Sequence, residues 1–121
     1  MANTFKVVTF AAEPNSAGTP YVVYTAGSGV TTVVLGLILT NINTAQVTAE
    51  VELVSDTGSR GGANNVTNGT AFLAKDIPIP VGSSVELLAG NKVVLETTDA
   101  LQIDCSVADK LSGALSIMEI T

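Results

Sequence analysis

The segment FLAKDIPIPVGSSVELLAG, residues 72–90, decides how this chain can fold. Pro78 and Pro80 each lack the backbone N–H that a sheet needs, so they confine the middle of the segment to an edge strand or a bend. Each proline also keeps the preceding residue, Ile77 or Ile79, in extended geometry. We therefore predict that the chain crosses here from one sheet to another while both isoleucines stay available to the core.

Short stretches of alternating apolar and polar residues, typical of β-strands, flank this segment on both sides. The predicted strands are 5–11, 21–26, 30–42, 46–54, 70–77, 84–90, 92–98, 100–107 and 114–120. The pattern predicts one all-β domain over residues 1–121, a single-domain antiparallel β-sandwich (jelly-roll or Ig-like) with eight or nine short strands. Gly90-Asn91 is predicted to form a tight hairpin turn between 84–90 and 92–98.

Individual strands predict which side chains face inward. In 30–42 both faces are apolar between Val33 and Leu39, so we expect the core on one side and a neighbouring subunit on the other. Gly36 within it predicts a bulge or a close backbone approach. The strand 5–11 puts Phe5, Val7 and Thr9 on one face. In 46–54 the inward side chains are predicted to be Val47, Ala49, Val51 and Leu53, and those in water Thr48, Glu50 and Glu52.

The charge content is low and acidic. Charged residues make up 13% of the chain, roughly half the usual share of about 25%. Two interpretations stay open: a soluble surface covered by Thr, Ser and Asn, or a surface covered by other subunits. The net charge of −6 argues against nucleic acid and against an anionic membrane surface as partners.

The chain has no histidine, and so lacks the commonest general base and zinc ligand. Cys105 is the only cysteine, so it cannot form an intramolecular disulfide, and we expect it to be a buried small residue. Leu101, Ile103, Cys105 and Val107 are predicted to share one strand face. No signal peptide is visible, and the longest apolar run, 33–39, is far shorter than a membrane span. We expect no catalytic, cofactor-binding or metal site.

Two motifs in the loop 55–69 suggest chemistry. Asp56-Thr57-Gly58 matches the triplet of aspartic proteases, in which two such carboxylates share a proton across a dimer axis. The simpler interpretation is a turn in which Gly58 supplies a positive φ. A calcium site in this loop could use the side-chain oxygen atoms of Asp56, Asn64, Asn65 and Asn68. The spacing of these residues matches no known calcium loop, and only one of them has a carboxylate.

Three parts of the second half carry a resemblance to a known group of proteins. They are Ile77-Pro78-Ile79-Pro80 with Gly82, the stretch from Leu95 to Asp99, and Glu119-Ile120. Over about residues 30–120 the chain resembles small virion structural proteins of tailed bacteriophages, particularly marine and cyanobacterial ones. It departs from their pattern in having Thr98 where a glycine often precedes the aspartate, and threonine can also occupy a turn.

The resemblance implies a virion-located assembly component with no enzymatic activity. The function expected is capsid decoration, through binding to the major capsid protein or other virion subunits and as a homo-oligomer. The alternative within the same class is a ring component of the neck, tail or baseplate. Alternatives outside it are the dimeric aspartic protease and a carbohydrate-binding module, for which the close pair Tyr21 and Tyr24 would supply the aromatic rings.

Overall fold

A computed structural model describes residues 2–55, 69–88, 90 and 92–121 of the chain. Within these residues nine strands form, at nearly the predicted places, and no helix is long and apolar enough to cross a membrane. The strands are β1 (Asn3–Glu13), β2 (Tyr21–Thr25), β3 (Thr31–Asn41), β4 (Val47–Val54), β5 (Thr70–Ile79), β6 (Ser84–Leu87), β7 (Val93–Leu95), β8 (Ala100–Cys105) and β9 (Leu111–Ile120).

The described strands form two antiparallel sheets that pack as a sandwich. Sheet 1 has the order β1-β9-β3-β6, with β7 also paired to β3, and sheet 2 has the order β2-β8-β4-β5. The first strand thus pairs with the last, the second with the one before the last, and so on inward along the chain. This is the arrangement of a jelly roll, and it decides between the two predicted sandwich types.

The predicted hairpin between β6 and β7 is wrong. Both strands pair with β3: Leu37 lies opposite Leu87 of β6, and Val34 opposite Val93 of β7. They follow one another along a single edge of sheet 1, so together they act as one interrupted strand. Counted in this way, the described strands number eight, as in a jelly roll.

Aliphatic side chains from the inner faces of both sheets fill the core. Each fully buried Leu, Ile or Val contributes roughly 1.5–3 kcal/mol relative to exposure, so this layer holds the sheets together. Its largest members, each less than 2% exposed, are Val34, Leu37, Leu39, Val47, Val51, Ile79, Leu95, Leu101, Ile103, Leu111, Leu115 and Ile117. Cys105 is 3% exposed and belongs to the same cluster, as predicted.

The two apolar faces of β3 differ in burial, and a bulge lies between the two halves of the strand. The pairing with β9 shifts between Val34 and Gly36, so Leu35 is an inserted residue. Val34 lies inside before the bulge and Leu37 inside after it, whereas Ile38 on the other face is 40% exposed. The strand therefore has one buried face and one partly exposed face, and the bulge predicted near Gly36 is confirmed.

The proline segment crosses between the sheets as predicted. Pro78 lies in β5 at the edge of sheet 2, Ile79 is buried, and the chain reaches β6 in sheet 1 through a turn in which Gly82 has a φ of 73°. Asn41, at the end of β3, holds the crossing in place, because its side-chain amide donates to the Ile79 carbonyl at 2.9 Å.

Candidate interaction surface

The exposed side of sheet 1 carries apolar side chains on β1, β9, β3 and β7. Cross-strand partners share a face of a sheet, so the register defines this surface, which we call the outer face. Phe5 lies opposite Met118, which lies opposite Val33, which in turn lies opposite Val94. The apolar members of the outer face are Phe5, Val7, Val33, Leu35, Ile38, Val94, Ala114, Met118 and Ile120.

Two of these side chains are exposed to a degree that is unusual for large apolar residues. Phe5 is 71% and Val7 62% exposed, both on the edge strand β1. Among the paired positions of the outer face the structure places one charged residue, Glu86. Beside it a depression of about 300 Å³ opens over the β3 bulge, where Gly36 has no side chain to fill it.

The exposed side of sheet 2 has the opposite character. Glu50 lies opposite Asp104, and Glu52 opposite Gln102. Lys75 forms an ion pair with Glu50 at 2.9 Å, and this hydrogen bond is the main reason that the pKa of Lys75 is raised. Most ionic side chains of the two sheets' exposed faces are therefore on sheet 2.

One prediction for β4 is wrong. Glu52 was expected in water, but it is 8% exposed and its carboxylate accepts a hydrogen bond from the Gln102 amide at 2.8 Å. Val47, Ala49 and Val51 are buried as predicted, and Leu53 is half-buried. Glu50 and Glu52 are thus held by different partners, Lys75 and Gln102.

A polar cluster at one end of the sandwich links the two sheets. The Glu119 carboxylate accepts a hydrogen bond from the Tyr24 hydroxyl at 2.5 Å and pairs with the Lys6 ammonium at 2.7 Å. The hydrogen bonds from Lys6 and Tyr24 lower the pKa of Glu119. Burial, and then the bond to Glu119, raises the pKa of Tyr24. This cluster ties β1 and β9 of sheet 1 to β2 of sheet 2.

Comparison with protein-family models finds no matching family, and comparison with curated proteins finds no match. Among solved structures, the chain is similar to a protein of Bacillus endospore appendages, which are described as a novel family of disulfide-linked pili. The two chains are 16% identical, with 99% of this chain and 87% of that chain covered, and the TM-score is 0.47. The jelly-roll assignment depends on the strand order of this chain alone.

The remaining residues singled out from the sequence have structural partners or lie outside the described residues. The Tyr21 ring packs against Phe10, with centroids 5.7 Å apart, and the Tyr24 hydroxyl is bound as above, so the two tyrosines do not form a free aromatic platform. Burial raises the pKa of the Cys105 thiol. The protease triplet Asp56-Thr57-Gly58 and the asparagines of the calcium hypothesis, Asn64, Asn65 and Asn68, lie outside the described residues.

The outer face is the feature that sequence reasoning located least well. Phe5 and Val7 were placed on a common face, but which face of β1 packs into the core was left open. Gly113 is the residue in the sequence that could have indicated which face of β1 packs inward. A Cβ there would lie 2.5 Å from the Phe10 ring, so the ring occupies the space above this glycine and turns the other face of β1 outward.

Proposed function

We propose that this chain is a structural subunit of a tailed-phage virion that decorates the capsid, without enzymatic activity, and that it attaches to other virion subunits through the outer face of sheet 1. The observation that carries the proposal is the segregation of charge: the outer face has one charged residue at its paired positions, whereas the outward side of sheet 2 carries Glu50, Glu52 and Asp104. Protein interfaces are depleted of charge at their centre in the same way.

The size of the outer face is sufficient for such a contact. Four strands spaced about 4.8 Å apart and roughly ten residues long cover about 600 Å². A standard protein interface buries about 800 Å² on each partner, so this face and its rim reach the usual range. Large apolar side chains exposed together on one face, such as Phe5 and Val7, are typical of interaction sites.

The resemblance to phage virion proteins supports the assignment from another direction. The residues that carry it occupy the places that shape the fold: Ile79 enters the core at the crossing between sheets, Leu95 is fully buried in β7, and Glu119 joins the two sheets. Asp99 accepts a hydrogen bond from the Glu96 backbone amide at 3.0 Å within the turn before β8. In this chain the residues of the pattern therefore belong to the framework of the fold.

Purified particles test the proposal. We expect stoichiometric amounts of this chain in them, with hundreds of copies for a capsid location and a small ring for the neck, tail or baseplate. Its absence from the particles would overturn the assignment.

A matched pair of variants tests the surface. Val94, 55% exposed, lies on the outer face, and Val22, 47% exposed, lies on the exposed side of sheet 2. We expect Val94→Glu to prevent binding to particles that lack this chain and Val22→Glu to bind as wild type does. Equal binding of both variants would contradict the role of the outer face.

A further inference from the structure

The sandwich has four sheet edges among its described strands, and three of them are poor sites for pairing with another strand. In sheet 2, β5 contains Pro78, and β2 is five residues long with a shift in its pairing. In sheet 1, the β6–β7 edge is divided into strands of four and three residues. Prolines, short strands and irregularities of this kind protect edges from association.

The edge strand β1 has none of these protections from Asn3 to Phe10. It is eleven residues long, contains no proline, and pairs with β9 without irregularity from Asn3 to Phe10. Its other side is an edge of sheet 1. Lys6 is the only charged residue in the regular part of the strand, and its ammonium group is paired with Glu119.

The direction of the backbone groups on this edge follows from the pairing with β9. Ala2 and Thr121 exchange two backbone hydrogen bonds, at 3.2 and 3.0 Å. Because backbone groups alternate in direction along an antiparallel strand, the even residues of β1 bond to β9 and the odd ones point to the free edge. Phe5, Val7 and Thr9 therefore present N–H and C=O groups there, and Phe5 and Val7 also have exposed side chains.

We propose that β1 pairs antiparallel with β1 of a second copy of this chain, about a two-fold axis at Val7. Hydrogen bonding requires an odd residue to lie opposite an odd residue. An axis at Lys6 meets this condition but places the two lysines face to face, which is destabilising. An axis at Val7 avoids this and stays within the regular part of the strand.

With this register β1 is complementary to itself, as a two-fold interface requires. Val7 lies opposite Val7 of the partner copy, and Phe5 lies opposite Thr9 of the partner copy. Three pairs of residues then exchange about six backbone hydrogen bonds, two for each pair. Sheet 1 continues through both copies, and the joined outer faces cover about 1,200 Å². The inference concerns the purified chain and does not depend on the virion assignment.

Engineered cysteines test the register directly. Residues in a hydrogen-bonded antiparallel pair have Cα atoms about 5.5 Å apart, within the range that a disulfide bridges. We expect Val7→Cys to form a covalent dimer under mild oxidation. The matched control is Val94→Cys, whose site on β7 is similarly exposed but lies at the opposite edge of sheet 1 from β1, and which should form no covalent dimer at the same concentration. The native Cys105 is buried, so it does not compete.

Light scattering on the unmodified chain completes the test. We expect a dimer for wild type and dimerisation about tenfold weaker, or worse, for Val7→Lys, because the two introduced ammonium groups oppose each other. Val7→Glu should be weakened in the same way, and mixing the two variants should restore a heterodimer. Circular dichroism checks that each variant is folded.

Three results would overturn the proposal: a monomeric wild type at the highest attainable concentration, a dimer unaffected by Val7→Lys, or cross-linking of Val7→Cys no faster than that of Val94→Cys. A monomer that is nevertheless found in virions would overturn the dimer alone and leave the proposed function in place.

Discussion

Replacing Gly113 with alanine tests how β1 is seated on the sandwich. Gly113 lies in β9, opposite Phe10 of β1 and Leu39 of β3. A Cβ at this position would lie 2.5 Å from the Phe10 ring and 2.6 Å from the Ile38 carbonyl oxygen. Non-bonded carbon atoms need about 3.5–4.0 Å, so both neighbours would have to move, and one of them is backbone.

The expected cost follows from this geometry. Overpacking a core typically destabilises a protein by about 1–3 kcal/mol, and a contact with an immobile carbonyl places this change near the upper end. For a chain of this size about 3 kcal/mol lowers the melting temperature by roughly 10 °C. Urea unfolding measures the difference, with an unchanged slope showing that the folded state is otherwise intact.

Gly36→Ala is the matched control. Gly36 also lies in sheet 1, but a Cβ there meets no atom within 4 Å. We expect its free energy of unfolding to stay within about 0.5 kcal/mol of wild type. Combining Gly113→Ala with Phe10→Leu should cost about 1 kcal/mol less than the two changes added, because the smaller side chain relieves part of the clash. A Gly113→Ala protein as stable as Gly36→Ala would refute the reasoning.

Three further predictions concern Asn41, Glu119 and the thiol of Cys105. Asn41→Leu leaves the Ile79 carbonyl and other backbone groups without their side-chain partner, and it should lower the free energy of unfolding in urea by about 3 kcal/mol. A decrease below about 1 kcal/mol would contradict the role of Asn41 in holding the crossing between the sheets. The stabilising effect of Glu119, whose folded pKa is lowered, is fully present above its unfolded pKa of about 4.3. It is lost as the pH falls through the folded value, so the difference in unfolding free energy between wild type and Glu119→Gln should shrink as the pH is lowered below the unfolded value. A difference in unfolding free energy that does not change with pH would exclude a contribution of the Glu119 carboxylate to pH-dependent stability. Cys105 should react with a thiol reagent only when the protein unfolds, whereas Val94→Cys should carry one thiol that reacts at once; equally fast reaction of both would show that Cys105 is accessible.

Strand positions and the crossing at Pro78 could be predicted because they depend on local properties. Period-2 alternation marks a half-buried strand wherever its partner lies, and a proline lacks its N–H in any context. The nine predicted segments therefore coincide closely with the nine described strands. Ile79 was expected to be available to the core for the same local reason, and it is 1% exposed.

Partner choice could not be predicted, because it is a property of the whole fold. Gly90-Asn91 between two apolar runs is a good local hairpin signal, yet both runs pair with β3, which is long enough at eleven residues to accept them one after the other. The bulge had a similar effect. One inserted residue, Leu35, shifts the alternation, so reading residues 33–39 as a regular strand puts Val34 on the opposite face from Leu37 and Leu39, although all three are buried. Glu52 became buried because the register supplies Gln102 as its neighbour.

The exposure of Phe5 and Val7 is determined by specific contacts that fix the register of β1. The strand β1 has apolar residues on both faces, so hydrophobicity alone does not fix its register, and a slip by one residue would bury Phe5 and Val7 instead. Two interactions exclude the slip. Phe10 needs the space above Gly113, and the residues on either side of that glycine carry side chains. Lys6 reaches Glu119 only from the inner face, since a slipped strand would turn it outward. The sequence therefore uses a glycine and an ion pair to hold two large apolar side chains in solvent. Such an arrangement is disfavoured in an isolated subunit and becomes favourable when the outer face is covered.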